Sequence, residues 1–199
     1  MNKKTRLIIL IILAVLIVIV LTIGVTRAFL NPVVDENKVV EVSLSSCAKI
    51  KIDGTNSISL SNTYPMSRNR GLNTTPYTFT VTSACDNAIG FNLYLATLNT
   101  NTLDASNIHY IVTSKGSKTA LAEGTLTSDV SSTFTDTDKT ELNIGLGGTY
   151  GAIYKLYNNS LSVNANASYD LYLYVDESAT NSQVTTFVAG VAIKSYNLS

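Results

Sequence analysis

Two patterns of apolar residues divide the chain. The first is an unbroken run, Leu7 to Val25, interrupted only by Thr22 and Gly24, with Lys3, Lys4 and Arg6 ahead of it. As a helix rising ~1.5 Å per residue it spans roughly 28 Å, close to the ~30 Å hydrocarbon core of a bilayer, and it exceeds the ~7–15 apolar residues of a simple signal peptide. The basic flank keeps the N-terminus in the cytoplasm, since Arg27 alone does not outweigh three charges. This predicts a signal-anchor segment over residues 1–30, with residues 31–199 outside the cell. Cleavage after Ala28, with Thr26 at −3, is the competing outcome and would release a secreted domain.

Beyond residue 30 the period changes to two. VVEVSL (39–44) and AKIKI (48–52) alternate, followed by the turn pair Asp53-Gly54. YTFTVTSA (77–84) sets Tyr77, Phe79 and Val81 against Thr78, Thr80 and Thr82, the pattern of a sheet with one solvated face. FNLYLATL (91–98) turns Phe91, Leu93 and Leu95 inward. IHYIVTS (108–114), a hairpin-like TALAEGTL (119–126) and AIYKLYNNSL (152–161) follow. DLYLYVD (170–176) opposes Leu171, Leu173 and Val175 to Tyr172 and Tyr174, and FVAGVAIKSY (187–196) aligns Phe187, Ala189, Val191 and Ile193. No amphipathic helix is predicted after the anchor. Eight to ten short strands with regular turns predict an all-β fold, a β-sandwich of immunoglobulin-like or jelly-roll type. Segments 62–76 and 135–151 read as long loops over a sandwich end, the second made mobile by Gly145, Gly147, Gly148 and Gly151.

Charge sharpens the division. The whole chain is formally neutral, yet four basic residues lie at or before Arg27 and every acidic residue lies after it. The exported part therefore carries ten basic against fourteen acidic residues, a net of −4. That is no footprint for nucleic acid.

The anchor's end, V-T-R-A-F-L, and the segments YPMS…GL…TPYTFTVTSACD and YDLYLYVDESATN carry a resemblance. They resemble small exported proteins of low-GC Gram-positive bacteria, in particular the TasA/camelysin group of surface and matrix-fibre proteins. Arg27 and Leu30 depart from the aromatic residues usual at those positions. The resemblance covers the signal and two strand segments. It implies an extracellular β-sandwich and surface assembly, and it supplies no catalytic residue.

Candidate chemistry is sparse. Cys47 and Cys85, the only cysteines, stand at strand ends in an exported chain and are expected to form a disulfide. His109 is the lone histidine, too few for a zinc motif of the H-E-x-x-H kind. DTDKTE (136–141) has the alternate acids of a calcium loop without its glycine or its final glutamate, and VDESATN (175–181) reads as a turn capped by Asp176 or Ser178. GLGGTYG (145–151) lacks the G-K-[ST] ending of a phosphate loop, and no serine stands in a hydrolase motif. No cofactor or metal is called for, and no enzyme is expected. Of the eleven tyrosines, Tyr154, Tyr157, Tyr172 and Tyr174 are the candidates for stripes of surface contact. The expected role is structural or adhesive at the cell surface, through self-assembly or a protein partner. The alternative is a module binding carbohydrate or another surface ligand.

Overall fold

Residues that alternate apolar and polar settle where one face meets a core and the other does not. A computed structural model describes residues 41–43, 47–53, 58–61, 64–179 and 186–198. They contain ten strands: β1 (Glu41–Ser43), β2 (Ala48–Asp53), β3 (Ile58–Ser61), β4 (Tyr77–Ser83), β5 (Ile89–Leu98), β6 (Ile108–Ser114), β7 (Ala120–Thr125), β8 (Tyr150–Leu161), β9 (Asn166–Val175) and β10 (Thr186–Asn197). A four-residue helical turn, α1 (Arg68–Gly71), an eleven-residue helix, α2 (Asp136–Leu146), and two short 3-10 turns (Ala105–Asn107 and Ser131–Thr133) complete them.

The strands form two sheets. In the first, β10, β5 and β8 lie side by side, and β1 and β3 share the outer edge of β10. In the second the order is β2-β4-β9-β6-β7. The pairing is nested: β3 with β10, β4 with β9, β5 with β8 and β6 with β7, all antiparallel. Strands β3 to β10 thus behave as one long hairpin, with its turn between β6 and β7, whose successive pairs fall alternately into the two sheets.

The inward residues read from alternation meet between the sheets. Phe79, Val81, Leu171, Leu173 and Val175 come from one sheet, and Phe91, Leu93, Leu95, Phe187, Val191 and Ile193 from the other; none is more than 4% exposed. Tyr169 joins the layers, its ring 5.5 Å from that of Phe79 and 6.2 Å from that of Phe91. At about 1.5–3 kcal/mol for each large apolar side chain, this cluster is the main source of stability.

Three readings are corrected. The segment read as a mobile loop at 135–151 holds α2. The Thr135 hydroxyl accepts from the Asp138 amide and the Asp138 carboxylate accepts from the Thr135 amide, each at 3.1 Å, so both ends of a capping box close. Gly147, at φ 67°, ends the helix in the left-handed region. Leu142 and Leu146, one turn apart, pack with Phe134 onto Tyr94, Ala96, Ile153 and Ala192 of the first sheet's outer face. Second, residues 64–76 lie across the outer face of the second sheet and not over an end of the sandwich. Met66 donates to the Val175 carbonyl at 2.9 Å, and Leu72 packs on Ile111, Tyr172 and Tyr174. Third, TALAEGTL is a single strand, β7, paired with β6.

The segment Leu7–Val25, expected to be a membrane anchor, lies outside the described residues. Among the described residues no helix is long and apolar enough to cross a membrane.

Candidate interaction surfaces

The two cysteines are brought together by pairing of β2 with β4. Ala48 stands opposite Ser83, and the ladder continues one step further with Ala84 donating to the Cys47 carbonyl at 2.8 Å. The Cα atoms of Cys47 and Cys85 are therefore 5.0 Å apart and the two sulfurs are bonded. The bridge extends a hydrogen-bonded ladder, so Cys85 stands just past the end of β4 for an architectural reason.

Of the four candidate surface tyrosines, two are buried and two are half-buried. Tyr172 and Tyr174 do point outward from β9, but each is only 2% exposed because residues 64–76 cover them. Gly71 rests directly on the Tyr174 ring. Lys118 caps the other end, its ammonium 4.7 Å from the Tyr172 ring centre, bonded to the Tyr172 hydroxyl at 3.1 Å and to the Leu72 carbonyl. Tyr154 and Tyr157, three positions apart, face the same side because β8 bulges between them: Tyr154 opposes Leu95 and Tyr157 opposes Leu93. That side is the inner one, where both half-buried rings pack against the core and Tyr157 meets Tyr169 edge-on at 5.7 Å. Burial raises the hydroxyl pKa of Tyr154, Tyr157 and Tyr174 above the ordinary value.

The acidic residues serve turns. Asp104, Asp129 and Asp176 each precede a serine by two residues, and each carboxylate accepts from that serine's amide and hydroxyl at 2.7–2.9 Å. Asp129 also accepts from the Ile153 amide at 3.0 Å, which pins the 129–130 loop to the first half of the β8 edge. The repeated D-x-S spacing was the available sequence signal for all three turns. These bonds hold the carboxyls of Asp104 and Asp176 below the usual value. At Asp129, burial pushes upward and the three bonds more than offset it. Asp138, from the DTDKTE segment, caps α2 and meets Lys194 at 2.7 Å. Its burial raises the carboxyl, while Lys194 and Thr135 together bring it below the ordinary range.

His109 stacks on Tyr174 at 5.2 Å, with Nδ1 3.5 Å from an Asp176 oxygen. Neither ring nitrogen has a hydrogen bond, so no hydroxyl or thiol among the described residues is activated by it. Among the described residues no three His, Cys, Asp or Glu side chains gather as a metal site would require.

One sheet face stays open among the described residues. It is the half of the second sheet beside β2, built of cross-strand rows. Lys51 stands opposite Thr80, and Thr80 opposite Ser168, with the two hydroxyls 2.8 Å apart. Exposed Lys115, whose amide donates to the Ser168 carbonyl at 3.0 Å, continues that row. In the next row Lys49, Thr82 and Asn166 are opposed and all exposed. The row on the other side contains Asp170, 4% exposed, which accepts from Thr78 at 2.6 Å and from the Gly116 amide at 2.7 Å.

In comparisons with known proteins, no family model matches the chain and no curated protein matches it.

Proposed function

We propose that this protein is a non-enzymatic, structural or adhesive component of the cell surface. It is held by the Leu7–Val25 helix in a single-pass orientation, or secreted after that helix is removed, and presents a jelly-roll domain outside. The nested pairing of β3 to β10, with pairs alternating between two sheets, supports jelly-roll over immunoglobulin-like topology. The resemblance of the signal segment and of two strand segments to the TasA/camelysin group points to the same setting.

The observation that carries the assembly part is β1. Its three residues pair in parallel with Val191–Ile193, whereas every other ladder among the described strands is antiparallel. Three residues of parallel ladder make a short, comparatively weak contact, and parallel pairing is the less stable kind per residue. The arm that ends in β1 is suited to exchange onto the same edge of a neighbouring β10, where backbone bonds supply affinity and alternation supplies register. Head-to-tail exchange does not close, so it yields filaments.

Two experiments test this reading. Protease added to intact protoplasts digests residues 31–199; full protection refutes the orientation. Residues 29–199 form filaments by electron microscopy and light scattering, whereas 46–199 do not. A monomeric longer form, or equal assembly of both, refutes the exchange.

A second reading, a surface-ligand module, is favoured by the open lysine and hydroxyl face of the second sheet.

A further inference from the structure

We infer that the open face formed by Lys49, Lys51, Thr80, Thr82, Asn166, Ser168 and Lys115 binds a linear polyol phosphate, a chain in which phosphates alternate with short hydroxyl-bearing carbon units. The inference rests on the surface-ligand reading and names its ligand class.

Charge is the first argument. The exported part is acidic, yet this face carries Lys49 and Lys51 at successive outward positions of β2. Lys49 and Lys51 form no ion pair with any described residue; Arg68, Lys139 and Lys194 each meet a carboxylate elsewhere. Asp170, one row from the Lys51–Thr80–Ser168 row, is 4% exposed and occupied by Thr78 and Gly116, so it offers an incoming anion little opposition. Asp53 stands in that same row, opposite Thr78 and two positions after Lys51 on β2.

Spacing is the second. Lys49 and Lys51 are two residues apart on one strand face, so their Cβ atoms repeat at about 6.6 Å. A three-carbon polyol phosphate has a six-bond repeat, twice the three bonds of an amino-acid residue, and extends to about 7 Å. Successive phosphates laid along β2 therefore meet successive ammonium groups.

Hydrogen bonding is the third. The Thr80–Ser168 pair spends one donor and one acceptor on itself, which leaves one donor and three lone pairs for a ligand. Thr82 and Asn166 add further donors and acceptors in the adjacent row. Hydroxyls of a polyol fit this surface; a polymer with charges alone leaves it unused. The groups lie in rows along and across neighbouring strands, which suits an extended chain.

The test uses the full 199-residue chain in a neutral detergent, titrated with poly(glycerol phosphate), inorganic polyphosphate and dextran. Poly(glycerol phosphate) binds, and raising salt from about 50 to 500 mM weakens it severalfold, because exposed charge pairs are screened within a few ångström at high salt. Lys49→Gln with Lys51→Gln lowers affinity at least fivefold, and Lys49→Glu with Lys51→Glu removes binding. Lys155→Gln, an exposed lysine on the other sheet, has no effect; unchanged thermal unfolding of all three variants shows that the fold is kept. Equal loss with Lys155→Gln, or insensitivity to salt, overturns the site. Polyphosphate binding as tightly overturns the part assigned to the hydroxyls and with it the proposed ligand class. Binding of dextran alone overturns the polyol phosphate while leaving a carbohydrate module standing. If none of the three binds, both the inference and the surface-ligand reading fall.

Discussion

Adding one methyl group at Gly71 tests whether residues 64–76 are packed onto the second sheet as described. A Cβ at that position would stand 2.4, 2.5 and 2.7 Å from the Cδ1, Cε1 and Cγ atoms of Tyr174. Carbon atoms in good contact are about 3.5–4.0 Å apart, so something must move by roughly 1 Å. The ring has nowhere to go: it is 2% exposed, wedged between Gly71, the stacked His109 ring and the cluster of Leu72 and Ile111. The α1 turn is also tied, through Arg68 to Glu123 at 2.7 Å and through Met66 to β9. Overpacking of this kind costs about 1–3 kcal/mol. Against it stands a favourable term, because Gly71 does not have a left-handed backbone and alanine restricts the unfolded chain, a gain of about 0.4–1 kcal/mol. The net expectation for Gly71→Ala is a loss of about 1–2 kcal/mol. In a Tyr174→Ala background the obstacle is gone and only the favourable term remains, so the same substitution becomes stabilising. Urea midpoints of the four proteins, followed by tyrosine fluorescence without reductant, read both numbers. A neutral Gly71→Ala, or an equal cost in both backgrounds, would refute the packing argument.

Further outcomes follow from other contacts. Leu142→Ala, at a fully buried position that docks α2, costs about 2–5 kcal/mol and speeds hydrogen exchange over 136–146; a change within 0.5 kcal/mol contradicts a docked helix. Replacing both Cys47 and Cys85 by alanine lowers stability by about 4 kcal/mol in the chain-entropy model for a separation of 38 residues, and an unfolding midpoint indifferent to reductant counts against the bridge. Thr135→Ala removes one half of the capping box and costs about 1 kcal/mol by thermal unfolding. The carboxyls of Asp104, Asp129, Asp138 and Asp176 lie below their ordinary 3.8 in the folded chain, so their stabilisation is complete above the unfolded value and is lost as pH falls through the lower folded values. Stability therefore declines below about pH 4, and Asp138→Asn makes that decline shallower; a pH-independent unfolding free energy between pH 5 and 2 excludes it.

Strand faces were legible because each depends on period two alone. Phe79, Val81, Phe91, Leu93, Leu95, Phe187 and Val191 all enter the core as alternation indicates. The disulfide was legible for a different reason, since a chain with two cysteines leaves each one possible partner. The helix α2 was not legible from hydrophobic pattern: only Leu142 and Leu146 of its eleven residues are buried, too few to show a stripe. Its local signals are the Thr135–Asp138 capping pair and Gly147, residue types equally at home in a loop. The burial of the candidate tyrosines was hidden from the sequence by two separate routes. A bulge in β8 turned Tyr154 and Tyr157 to one side, and a distant loop covered Tyr172 and Tyr174.

The sequence alone determined the all-β class, the side each alternating strand presents to the core and the identity of the cysteine pair. Those properties follow from backbone geometry within a strand and from residue chemistry. Which strands pair, how the ladder nests and what lies over each outer face belong to the tertiary structure. They depend on contacts between segments far apart in the chain, such as Gly71 with Tyr174 or Lys194 with Asp138, for which no local period exists. The open face of the second sheet is of that kind. Its lysines and hydroxyls come from β2, β4, β9 and the turn after β6, and only pairing in register sets them in rows.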